Sequence, residues 1–258
     1  MKLNGFLDYF PIWAIYLLTP IVGLLAVEVG YRVANRWRRR TNGKTEAPAA
    51  PVVAATLGLF AFLLAFTFGS ASSRFEDRKQ AVLAESGAIQ SAYLRAAALP
   101  EPMASDSRNV LREYVSLRLS GLTPSQIEQA IAKSEAMHKR LWSNAVAAAN
   151  EKSPGASLFM TSLNDVINLH GKRVSAGLYN RVPPAIWIAL YLLLLIAMAV
   201  IGYYQGMSGT MRSLAVIGLV VSFSMVLGLI ADLDRPGQGR MQVSQQSMVD
   251  LQRSMETP

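Results

Sequence analysis

Glu28 and Arg32 stand four residues apart inside the apolar run IWAIYLLTPIVGLLAVEVGYRVA, residues 12–34. That spacing puts both on one face of a helix. Within hydrocarbon an ionisable group is costly and marks an ion or proton pathway by default. Near the end of a span, the same residues form an ion pair, with Arg32 reaching for the headgroups. Depth decides between the two, and sequence fixes depth only to about a turn.

A second constellation lies in VVAATLGLFAFLLAFTFGSA, residues 52–71, where Phe62 and Phe66 share a face with Leu59 one turn earlier. Turned to a symmetry axis, this stripe is a hydrophobic constriction that gates by dewetting. Turned to lipid or to other helices, it is packing.

Charged residues gather just beyond two apolar runs: Arg74, Asp77 and Arg78 after the second, and Asp232, Asp234 and Arg235 after the last. These six read as a polar cluster at the membrane interface. Two carboxylates two residues apart could bind a cation, or end the span through salt links to Arg235.

Other chemistry is sparse. The chain has no cysteine and two histidines, His138 and His170. Disulfides and thiolate metal sites are therefore excluded, and His170 has no second histidine near it in sequence. No Ser–His–Asp set, P-loop or dinucleotide fingerprint occurs, and Gly237 and Gly239 follow a proline without strand–helix context. The expectation is a protein that is not an enzyme, with no catalytic residue, metal or cofactor.

Composition says what surrounds these groups. The chain is 52% hydrophobic and only 16% charged, against roughly a quarter charged in a soluble domain. That is a membrane protein. Its net charge of +8 points to anionic lipid as the partner rather than nucleic acid.

Four stretches approach the ~20 apolar residues that cross a bilayer: 12–34, 52–71, 184–204 and 213–231. They form two pairs. Residues 12–71 hold the first, with a basic loop over 35–51, and residues 184–231 hold the second. Between them, residues 72–183 are polar and helical in pattern, and 232–258 form a C-terminal tail. The fold class is thus all-α, with a helical extramembrane domain inserted between the second and third spans. The second span runs on without a breaker, predicting one helix from Val52 to Leu99. In its polar part, Phe75, Val82, Ile89 and Ala96 recur every seven residues with Tyr93 beside them, a seam for a partner helix.

Ser105 or Asp106 can N-cap the next helix, Gly121 can end it, and TPSQ at 123–126 has capping-box spacing for another. That helix runs to about Glu151, and a last one covers 156–181. Gly202 with Gly206, and Gly218 with Ser222, allow close helix contact within or between subunits. Met248, Leu251 and Met255 share a face of a short helix near the C-terminus.

The loop over 35–51 holds Arg36, Arg38, Arg39, Arg40 and Lys44. By the positive-inside rule it is cytoplasmic, which places residues 72–183 and both termini outside. Arg36–Arg40 is the expected contact for anionic lipid.

FLLAFTFGSASSRFEDRKQAVLAESGAIQSAYLRA (62–96), LNDVINLHGKRVSAGLYNRVPPAIW (163–187) and ADLDRPGQGRMQVSQQSMVDL (231–251) resemble the bestrophin-like domain family of bacterial membrane proteins. The resemblance implies four transmembrane helices around a helical insertion, in the bacterial inner membrane. Bestrophins are pentameric anion channels whose second helix lines the pore with aromatic residues. By that analogy the chain is a homo-oligomeric anion channel, and Phe62 and Phe66 stand at the pore. Two features depart from the bestrophin pattern: the orientation that RWRRR implies, and the absence of an acidic calcium-binding cluster. The alternative is a non-conducting membrane-anchored scaffold, sensor or partner-binding protein, with Phe62 and Phe66 packed inside one chain.

Overall fold

The computed structural model describes residues 10–40, 50–120, 124–209, 213–235 and 239–256. Among them are eight helices and no strand: α1 (Ile12–Arg40), α2 (Ala50–Ala96), α3 (Met103–Leu119), α4 (Pro124–Asn150), α5 (Gly155–Leu178), α6 (Pro184–Ser208), α7 (Leu214–Asp234) and α8 (Gln246–Glu256). Four of these, α1, α2, α6 and α7, are long and apolar enough to cross a membrane. The chain divides into two compact units, Met1–Phe75 with Asn180–Gln242, and Glu76–Tyr179 with Val243–Pro258. The division falls inside α2, which is helical throughout.

In the first unit α1 packs chiefly on α6. A Cβ on Gly30 would overlap the carbonyl oxygen of Ala199, and one on Gly202 would overlap that of Val27. Gly206 lies equally close to Tyr31 and Ala34. The GxxxG spacing of the sequence therefore serves a contact within one chain, letting two backbones approach. Register rises together along the two helices, so α1 and α6 are parallel. Gly23 meets Val220 and Gly228 meets Tyr16, so α7 runs the other way. The end of α1, the end of α6 and the start of α7 consequently share one end of the unit. There α6 stops at Gly209, whose φ of 68° is the left-handed cap. Ser213 caps α7 by accepting from the Ala215 N–H.

Large side chains fill the centre of this unit: Phe60 and Leu64 from α2, Trp187, Leu190, Leu194 and Met198 from α6, and Val220, Leu227 and Ile230 from α7. Its outside is apolar as well, with Trp13, Leu17, Leu25, Ile188 and Leu214 more than half exposed. Such an exterior suits lipid rather than water.

The second unit comprises the rest of α2 with α3, α4, α5 and α8. Val82, Ile89, Tyr93 and Ala96 face its core beside Leu111, Leu141, Leu163 and Val166. From Val82 onward the heptad seam therefore serves several helices rather than one partner, whereas its first expected member, Phe75, packs against the core of the first unit. Met248, Leu251 and Met255 bury the expected face of α8 in the same core. Arg112 Nε and the Tyr93 hydroxyl both donate to the Met255 carbonyl, at 3.1 and 3.3 Å. A cation there offsets the negative end of the helix dipole.

Three helix limits differ from the sequence reading. α2 ends at Ala96, followed by a turn. α5 ends at Leu178, three residues before its expected limit. α3 starts at Met103 without the expected cap from Ser105 or Asp106. Glu101 does that work: its Oε2 accepts from Ser105 N and Oγ at 3.3 and 2.7 Å. Asp106 is drawn instead to α4, accepting from Asn144 at 2.7 Å and from Arg140. Gly121 and Thr123 lie outside the described residues.

Candidate functional site

Along the apolar half of α2, two faces have opposite surroundings. Phe60, Leu64, Thr67 and Ala71 are buried, and Phe60 packs tilted on Phe223 with ring centroids 4.9 Å apart. On the other side, Leu59, Phe62 and Phe66 are 57%, 70% and 66% exposed, and Gly69 has open space where a Cβ would stand. The stripe singled out in the sequence is thus one open face of the protomer. Its aromatic rings are not part of the core that the neighbouring side of the helix fills.

Glu28 and Arg32 form the expected pair, with Arg32 Nε 2.6 Å from Glu28 Oε1. The Arg32 side chain is 68% exposed and that of Glu28 only 27%, so the carboxylate sits deeper and the guanidinium reaches outward. They lie at the end of the unit that carries Arg36, Arg38, Arg39 and Arg40.

Arg74 Nε donates to Asn180 Oδ1 at 3.1 Å, Asp77 is exposed and Arg78 is buried. Asp232, Asp234 and Arg235 are nearly sealed from solvent, and each bonds to a main-chain group. Asp232 Oδ1 accepts from Arg240 N at 2.7 Å, and Asp234 Oδ1 from Val182 N at 2.9 Å. Arg235 donates to the Phe10 carbonyl at 2.7 Å. These residues tie the end of α7 to the chain entering α1 and α6.

The second unit holds a centre that sequence reasoning missed. Glu85 is fully buried on α2. Its Oε2 accepts from Arg173 at 2.6 Å, its Oε1 accepts from the Tyr114 hydroxyl at 2.6 Å, and Arg118 Nε lies 3.3 Å away. Burial opposes ionisation of Glu85, but the two guanidinium groups and the hydrogen bonds outweigh it and hold its pKa below the usual carboxylate value. Burial and the adjacent carboxylate push the Tyr114 phenol well up.

His170 Nδ1 lies 3.1 Å from the Tyr114 oxygen. Tyr114 has already given its one hydrogen to Glu85, so His170 is the donor in this contact. Its Nε2 is then unprotonated, and it is buried with no hydrogen-bond partner among the described residues, as is Nε2 of His138. The two imidazole rings meet edge to face, centroids 5.0 Å apart, although 32 positions separate them in sequence.

Burial pushes both histidines down to about 4. His170 also faces Arg118 and Arg173, and His138 faces His170 and Arg118; Glu85 opposes the shift in both, and Glu135 opposes it in His138. Two guanidinium groups against one carboxylate leave a local positive excess, which disfavours a further proton and equally a metal cation. Among the described residues no set of three His, Asp or Glu side chains could hold a metal.

A signal for Glu85 exists in the sequence. It lies three residues after Val82 and four before Ile89, so it falls on the apolar seam of α2. A buried acid requires partners, and these come from α3 and α5.

The family model of the Bestrophin-like domain matches residues 18–248. No curated protein sequence matches the chain. Among solved structures, a mutant of a bacterial bestrophin homologue from Klebsiella pneumoniae aligns with a TM-score of 0.68 at 15% identity, covering 95% of this chain and 97% of that one. A structure of a bestrophin homologue from the same organism, solved by Zn-SAD phasing, gives 0.64 at 16% identity with the same coverage. A mutant described as a membrane protein gives 0.68 at 14% identity, again covering 95% and 97%. At these identities the likeness is one of fold.

Proposed function

The chain belongs to the Bestrophin-like domain family, and from that premise we propose that it is a homo-oligomeric ion channel, with Leu59, Phe62 and Phe66 of α2 turned to the pore. One observation carries the reading: these three side chains are open on a helix whose other face is packed. A scaffold that buries Phe62 and Phe66 within one chain is the competing reading, and among the described residues neither ring is buried. Around an axis the same rings form a narrow apolar collar, which passes ions when wetted and blocks them when dry. The net charge of +8 favours small anions near the mouth. No catalytic role belongs to this reading.

The membrane is the bacterial inner membrane, with loop 35–51 in the cytoplasm. Residues 72–183 and both termini are then outside, 12–71 and 184–231 are the membrane domains, and 232–258 are the tail. Arg36, Arg38, Arg39 and Arg40 rest on anionic headgroups. Glu28 and Arg32 stand one turn deeper as an ion pair.

Stoichiometry tests the oligomer. Light scattering of the purified chain in detergent, corrected for the micelle, should give a closed ring of several copies. A monomer at all concentrations would overturn the channel. A reporter fused within residues 145–155 should be active only in the outer compartment; activity there of a reporter that works only in cytoplasm would reverse the orientation.

A further inference from the structure

At the corner of the second unit where α2 gives way to α3, a concavity of about 210 Å³ is lined by Glu101, Ser105, Arg108, Asn109 and Arg112. Its other lining residues are Ala97 and Ala104, so no acyl chain has a wall to lie along. The volume falls below the ~300 Å³ at which sites for drug-sized molecules begin. It suits a small ion, or the end group of a larger molecule.

Two guanidinium groups meet there over one ring. Arg108 and Arg112 lie 4.6 and 5.3 Å from the centroid of Tyr93, and both donate to its hydroxyl, at 3.1 and 2.6 Å. Such stacking fixes a guanidinium in place before any ligand arrives. Neither has an acidic side chain within ion-pairing distance among the described residues. Arg112 is nevertheless committed: Nε donates to the Met255 carbonyl and Nη1 to Asn109 Oδ1, each at 3.1 Å. Arg108 spends only Nη2 on the protein; Nη1 has no acceptor among the described residues, and Nε is enclosed without one. Glu101, the acid on the wall, is exposed, and its Oε2 accepts from Ser105 N and Oγ. The wall still carries two positive charges against one negative.

We propose that this corner binds a phosphate group, with Arg108 as the principal donor and Arg112 and Asn109 beside it. A planar carboxylate is filled by one guanidinium fork. A tetrahedral phosphate has oxygens in further directions, which accept from Arg108, from the second hydrogens of Arg112 and from Asn109 Nδ2 together. Arg112 fastens the end of α8 through Met255, so an anion held here stabilises the second unit by mass action. Inorganic phosphate and the terminal phosphate of a small monoester share this chemistry. The site is independent of whether α2 lines a pore.

Isothermal titration calorimetry of the full chain in detergent, at fixed chloride, tests the site with inorganic phosphate, methyl phosphate and acetate in turn. The wild type should bind one phosphate group per chain, and acetate far more weakly. Whichever of the two phosphates binds more tightly names the source, the free ion or a monoester. Arg108→Gln should weaken that binding about tenfold, the size of one charge-assisted hydrogen bond. Asn109→Asp keeps an acceptor for Arg112 but sets a carboxylate against the phosphate. It should weaken binding by a similar factor while its unfolding midpoint without phosphate is no lower than that of the wild type. Lys172→Gln removes an exposed cation that lines a different groove of this unit, and should leave binding unchanged. No binding of either phosphate, or acetate bound as tightly, would overturn the proposal. So would unchanged affinity in Arg108→Gln or Asn109→Asp, or an equal loss in Lys172→Gln. If circular dichroism shows that Arg108→Gln does not fold, the Asn109→Asp result alone decides.

Discussion

The open face of α2 at Phe62 and the closed centre around Glu85 are built from the same helix by opposite rules. In the first unit the exposed side chains are large and apolar, while the buried acids Asp232 and Asp234 are met by main-chain N–H groups. In the second unit a buried acid is met by side chains from two other helices. The difference fits the surroundings proposed for each unit, lipid for the first and water for the second. A helix in lipid loses nothing by showing Phe62 outward, whereas a bundle in water must hide its apolar groups and can complete a polar network inside. Openness in the first unit invites a neighbour, and closure in the second does not.

Removing the charge at the closed centre should have the largest effect. Glu85→Ala leaves Arg118 and Arg173 buried beside each other, a change that costs about 3–5 kcal/mol in comparable pairs. Thermal unfolding of the purified protein should show a large drop in midpoint. A drop no larger than that of an exposed control such as Glu76→Ala would mean the centre is wetter than it is drawn.

The two faces of α2 can be set against each other directly. Phe60→Ala removes a fully buried ring and should cost about 3–5 kcal/mol. Phe62→Ala, if the protomer alone is considered, should stay within about 0.5 kcal/mol. Equal losses in unfolding measured on dissociated protomers would erase the distinction between the faces.

Acid should act on the histidine pair more gently. The unfolded chain takes up protons near 6.5, while folded His138 and His170 resist until about 4. Between those values the unfolded state binds more protons, so stability falls as pH falls through that window. His138→Gln with His170→Gln should flatten the dependence between pH 6.5 and 4. A further decline on stronger acidification should remain, because Glu85, whose pKa is held below the usual carboxylate value, loses its stabilisation when it is protonated. An unchanged slope in the double variant would show that the histidines are neutral for other reasons or are not enclosed.

Much of the architecture could be read before any coordinates. The four apolar stretches, the helix crossing Ser72 without a breaker, and the Glu28–Arg32 spacing are local features, and local features are legible. Asp232 and Asp234 were legible as charges at a span end. Their satisfaction by Arg240 N and Val182 N was not, because main-chain donors leave no mark on residue type. The centre at Glu85 failed differently. Its partners lie 29, 33 and 88 positions away, and His138 and His170 meet only once α4 and α5 pack. Only the position of an acid on the apolar seam of α2 foretold it. The small-residue spacing of Gly202 and Gly206 announced a close contact; its partner, α1, required the fold.

Ion flux through liposomes tests the central claim most directly. Vesicles carrying the wild type should release chloride faster than protein-free vesicles. The paired variant Phe62→Ala/Phe66→Ala, which widens the collar, should change that rate or its anion selectivity. Flux equal to that of empty vesicles, from protein shown to be folded and inserted, would contradict the channel. Flux identical in wild type and variant would contradict the place given to Phe62 and Phe66.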